Sequence, residues 1–215
     1  MNKLLFYSSS FLIIGSFIGY FLIIIFGNKK VTDDNGFDVI KDIISEYDSI
    51  NVIESKSYFS IYNIKRKVIK LSTKCYYGNT ISDISLSLME AGISIIDSNK
   101  NKYINFFSMM FSNLKILYIF PLLSIIINYS TYNVNDAKIS LLFIMLFSII
   151  FYILIDIKSQ ASFWISDNLK KIKSISEKNS NKIINYINRL ILLDKLIFFG
   201  ELVIIIRCVA ILLEI

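Results

Sequence analysis

A chemical reading of this chain turns on Glu90. It sits in Met89-Glu90-Ala91-Gly92-Ile93, a stretch shaped like a zinc-binding helix that has lost its ligands. Such a helix needs His-Glu-x-x-His: residues at i and i+4 share one face and grip Zn²⁺, and the Glu activates the metal-bound water. Met89 and Ile93 occupy the two ligand positions, so only the carboxylate is of the required type. The chain contains no histidine. That excludes serine triads, Cys–His nucleophiles and every imidazole-bound zinc. Cys75 and Cys208 lie far apart and form no CxxC pair, so no redox or metal motif takes over.

The elements that must position Glu90 can be read around it. Gly78 and Asn79 suit a turn, and Thr80 with Asp83 resembles a capping box, so a helix is expected from Thr80 to about Ser98. Three short β-like stretches precede it: Asn51 to Ile53, Tyr58 to Tyr62 and Lys67 to Leu71, with Asn63 to Arg66 as a hairpin turn. Before them, Val39, Ile40, Ile43, Ile44 and Tyr47 have the spacing of an amphipathic helix over 37–50. These pieces make a small α+β subdomain over 28–102, too small to bury much core alone.

The remainder has the composition of a membrane protein. Hydrophobic residues make up 54% of the 215, and there is one proline. Four spans are expected. An anchor (1–27) carries the apolar run from Leu4 to Phe26, too long for a signal peptide's core and without a small-x-small cleavage pattern. Two helices lie in 103–157, one over 103–129 kinked by Pro121 and one over 139–155, joined by a short loop. A basic helical linker (158–189) leads to an apolar C-terminal helix (190–215) that carries Asp194, Lys195, Glu201 and Arg207.

Charge sets the orientation. Eleven of the 23 Lys and Arg fall within 27–102 and seven within 158–189. Four spans put both segments on one side, which the positive-inside rule makes cytoplasmic, with both termini outward. A multi-pass protein of the cell membrane explains the net charge of +6 better than nucleic-acid binding does.

Three stretches together carry a resemblance: Lys67-Val68-Ile69-Lys70-Leu71-Ser72, Tyr76-Tyr77-Gly78-Asn79-Thr80-Ile81, and Met89-Glu90-Ala91-Gly92-Ile93. They are similar to the YugP-type membrane-bound neutral zinc metallopeptidases, and the order of elements agrees from Gly36 to the end. The resemblance implies a zincin-like subdomain and a zinc cofactor held by two His and a carboxylate. The departures fall on those ligands. Met89 and Ile93 replace the two His, and Lys158 stands where the family's third ligand, a Glu, is expected. Of the family's Asp-His-Tyr-Asp-Pro before the strand, only Tyr62 is kept.

A thioether, an alkyl chain and an ammonium do not hold Zn²⁺, and Glu90 alone neither lowers a water's pKa nor polarises a carbonyl. The expectation is therefore a pseudopeptidase without zinc, its fold kept and its catalysis lost. Glu90 would be the vestigial general base and Met89 and Ile93 cavity filling. A Glu90–Lys158 ion pair would replace the metal's charge. Such a protein would act by binding a peptide, a membrane-protein partner or an active paralogue within the lipid bilayer. The alternatives are an active peptidase with a non-standard or trans-supplied metal site, and a small transporter or channel subunit with Glu201 and Arg207 along its path.

Overall fold

The computed structural model describes residues 2–45, 50–98, 117–169, 172 and 175–213. The described chain is mostly helical with one small mixed sheet, and it divides into two compact units.

The helical unit comprises Met1–Phe21, Ile116–Ile155 and Leu192–Ile215. Its elements are most of α1 (Asn2–Phe26), all of α5 (Ile119–Ser130), the first part of α6 (Val134–Leu169) and the second half of α7 (Glu177–Leu212). Their outward faces are apolar. Leu4, Phe11 and Phe21 of α1 and Ile139, Leu142 and Ile149 of α6 are all exposed. Ser9, Ser16, Ser124, Asn128, Asp194, Glu201 and Arg207, in contrast, are buried. A water-soluble bundle sorts these residue types the other way round. Close packing uses small residues: a Cβ on Gly200 would lie 2.5 Å from Cγ1 of Ile13.

Two helices, over Lys3–Phe26 and Val134–Leu169, are long and apolar enough to cross a membrane, where four spans were expected. The expected second span, 103–129, shows a 12-residue helix, and its first part falls on 99–116, outside the described residues. Pro121 lies in the first turn of that helix, where the N–H that proline lacks would have had no partner. The expected linker over 158–189 is not a separate element. α6 runs on to Leu169 and α7 begins at Glu177, because no Gly or Pro stands at the polarity change to end either helix.

The second unit comprises Leu22–Lys115 and Asp156–Ile191 and holds the sheet. The strands are β1 (Asn51–Ser55), β2 (Ile61–Asn63) and β3 (Val68–Ser72), in the order β1-β3-β2. β1 runs parallel to β3, and β2 and β3 form an antiparallel hairpin with Lys67 at φ 52° in its turn. The expected second stretch starts too early: Tyr58 and Phe59 are exposed and precede the strand.

One face of the sheet carries Tyr62, Ile69 and Leu71, which are fully or nearly buried. α4 (Ile81–Ser98) packs on it, and α2 (Gly36–Ile44) covers α4 with Val39, Ile40 and Ile44. α2 ends sooner than the periodicity predicts, and 46–49 lie outside the described residues. Its start is fixed by Asn35, whose Oδ1 accepts from the Asp38 backbone N–H at 3.0 Å.

Candidate functional site on helix α4

α4 enters as its sequence predicts. Thr80 Oγ1 accepts from the Asp83 N–H at 3.2 Å and donates to Asp83 Oδ2 at 2.6 Å, closing a reciprocal cap. Before it, α3 (Thr73–Tyr77) ends on the Tyr-Tyr-Gly-Asn turn. Gly78 is extended, at φ −79°, and its need for glycine is one of space: a Cβ would lie 2.3 Å from the Lys74 carbonyl oxygen and 2.4 Å from Asp83 Oδ2. Tyr76 stacks on Phe37 with ring centroids 4.7 Å apart, and the Tyr77 hydroxyl donates to Glu54 Oε2 at 3.1 Å. The chain after α1 clamps this turn through backbone bonds from Val31 N to Asn79 O and from Ile81 N to Lys29 O.

The motif residues lie in the middle of α4, packed. Met89, Glu90 and Ile93 are all buried, Glu90 with 7% of its surface exposed. The Glu90 carboxylate has a structural partner: its Oε2 accepts from the backbone N–H of Tyr62 at 2.7 Å. Tyr62 pairs through β2 with Ile69, and this N–H points away from β3, so Glu90 caps an outward donor of an edge strand. Two turns along the same face of α4, Asp97 Oδ2 accepts from the Tyr62 hydroxyl at 2.6 Å and pairs with the Lys67 ammonium. Burial first, and then the Asp97 carboxylate, push the Tyr62 phenol well above the ordinary tyrosine range. One tyrosine thus bonds two acids placed i, i+7 on α4, one with its main chain and one with its side chain.

The stretch around Lys158 does come up to α4. A Cβ on Gly92 would sit 3.1 Å from Ala161 Cβ, 3.2 Å from the Ala161 carbonyl oxygen and 3.2 Å from Ile165 Cδ1, so α6 crosses α4 at the motif glycine. Lys158 lies one turn before that crossing and is half-buried. Ion pairs among the described residues include Lys30–Asp33, Lys67–Asp97 and Lys74–Asp83.

No protein-family model, curated protein or solved structure matches this chain. The donor set around α4 does not fit zinc. Two of the three positions named for it carry buried apolar side chains and the third an ammonium, and the motif's own carboxylate, Glu90, is bonded to a main-chain N–H. Among the described residues, no group of three or more His, Cys, Asp or Glu side chains is arranged to hold a metal. Sequence reasoning missed Asp97 and the double role of Tyr62. The only signal for either was the i, i+7 spacing of the two acids.

The polar residues of the helical unit have partners of their own. Arg207 donates to the Asn128 carbonyl oxygen, Asn128 Oδ1 and the Thr131 carbonyl oxygen, each at 2.7 Å, and its guanidinium stands over the Phe6 ring. Those carbonyls belong to the C-terminal end of α5, where a cation completes unsatisfied acceptors and meets the negative end of the helix dipole. Asp194 Oδ1 accepts from the Tyr118 hydroxyl at 2.7 Å and from the Tyr20 hydroxyl. Arg207, one of the two residues assigned to a transport path, is held by backbone.

Proposed function

We propose that this chain is a multi-pass protein of the cell membrane, similar to a metallopeptidase but without catalysis, that acts by binding a peptide or membrane-protein partner. The observation that carries the non-catalytic half is the bond between Glu90 Oε2 and the Tyr62 N–H: the carboxylate is buried and serves a main-chain donor of the sheet, which is a structural task. The filled ligand positions Met89 and Ile93 support the same reading. The inverted sorting of the helical unit, apolar outside and polar inside, supports embedding beyond the two long apolar helices, taking α5 and the end of α7 into the bilayer with α1 and α6. The basic segments would face the cytoplasm. For the binding role, the sheet-bearing unit leaves Ile53, Tyr58, Phe59 and Tyr77 exposed, Tyr58 at 95%, a set of apolar and aromatic groups available to a partner.

The test is the zinc content and peptide-hydrolysing activity of the purified full-length chain in detergent, beside Glu90→Gln. Sub-stoichiometric zinc and equal background hydrolysis in both are expected. Stoichiometric zinc together with hydrolysis lost in Glu90→Gln would overturn the reading.

A further inference from the structure

Glu201 has a different environment from the other buried charged groups of the helical unit. It is 0% exposed, and Oε2 has no hydrogen-bond partner. Oε1 lies 3.1 Å from Ser124 Oγ, but that same hydroxyl lies 3.1 Å from the Phe120 carbonyl oxygen, four residues back on α5. A hydroxyl carries one proton and cannot donate to both acceptors. Ser148 of α6 stands beside the same carboxyl with its own Oγ buried and unpartnered.

Among the described residues, no compensating charge is at hand. On α7, Arg207 is directed to the end of α5, and Asp194 carries the same sign as Glu201 would. α5 presents Ser124 and α6 presents Ser148. From α1, Ile13 and the Ser9 carbonyl oxygen lie against Gly200, next to Glu201. An ionised carboxylate here would be buried with no cation beside it among the described residues and only the Ser124 and Ser148 hydroxyls to solvate it, which is unfavourable. A carboxylic acid resolves the accounting. Its O–H satisfies one serine oxygen, and Ser124 is released to bond Phe120.

We propose that Glu201 is a neutral carboxylic acid that forms a proton-binding site with Ser124 and Ser148 inside the helical unit. This goes beyond the partner-binding role and shares with it only the embedding of α5, α6 and α7. The site has a specific reactivity. The O–H of a buried acid adds across one C=N bond of an apolar carbodiimide to give an O-acylisourea, which rearranges to a stable N-acylurea with nothing leaving. An ionised carboxylate lacks the proton this addition needs.

The experiment uses the full chain in lipid nanodiscs at neutral pH, treated with dicyclohexylcarbodiimide and mapped by peptide mass spectrometry. An infrared spectrum is read in parallel for the carboxylic-acid C=O band. The expected result is a carboxylic-acid band and an adduct on Glu201, both of which Glu201→Gln removes. Glu201→Gln, which mimics the neutral acid, keeps the thermal midpoint of the parent. A chain without the band, or a Glu201→Gln variant that no longer folds, would overturn the proposal. Resistance to alkaline carbonate extraction is measured on the same membranes. It reports embedding separately, so failure of the proton site and failure of the membrane reading are distinguishable.

Discussion

At the level of single residues, the Glu90–Tyr62 bond separates a structural acid from a catalytic one. Glu90→Ala leaves a buried main-chain donor without an acceptor and is expected to cost about 1–3 kcal/mol. Glu90→Gln keeps an oxygen for that N–H and costs less. Chemical unfolding of the full chain in detergent, followed by circular dichroism, gives both values. The Tyr62 phenol makes a second prediction. Its folded pKa lies above its unfolded value, so its contribution is fully present below about pH 10 and is lost as pH rises beyond that. Tyr62→Phe removes this term, and the stability difference between parent and variant is expected to narrow above about pH 10. Unfolding midpoints from pH 7 to strongly alkaline buffer check it; a constant difference would contradict the assignment. Glu90 was legible from its motif. Its partner was not, because every residue but proline has a main-chain N–H, and only the hairpin register decides which one points outward.

For the elements, turn chemistry was the most readable level. Asn35 and the Thr80–Asp83 pair announce their helix starts, and Gly78 announces the turn. Gly78 is required by an approach to the Lys74 carbonyl, and that backbone atom cannot step aside as a flexible side chain would. Gly78→Ala is therefore expected to destabilise the sheet-bearing unit although its φ suits any residue. Gly92→Leu would drive α6 off α4 at Ala161 and is expected to cost about 1–3 kcal/mol or more. Proteolysis rates of the two variants, read at sites in 28–98, measure both. Helix ends within the apolar half were hard to read for a physical reason. A change from apolar to basic residues alters what a helix faces but does not stop its hydrogen-bond ladder. α6 and α7 accordingly run through the expected borders at 157 and 189.

Across the whole molecule, the basic segments predict a topology. In a background with the two buried cysteines replaced (Cys75→Ser, Cys208→Ser), Lys56→Cys and Lys178→Cys are expected to react with an impermeant maleimide only after the inner face is opened. Asn133→Cys is expected to react from outside. Label on Lys56→Cys in intact cells would reverse the orientation. The polar interior of the helical unit has one further consequence, for biosynthesis. Under the proposed embedding, the end of α7 would bring Asp194 and Arg207 into the bilayer, where a charged residue at a span's centre costs roughly 2.5–3.5 kcal/mol during translocon insertion. That end leaves the ribosome after α5, whose Asn128 and Thr131 carbonyls are then ready for its arginine. Joined alone to a glycosylation reporter, residues 190–215 would then insert poorly, and they would insert efficiently only behind the earlier helices. On the proposed embedding, α7 would enter the bilayer on the strength of a neighbour already there.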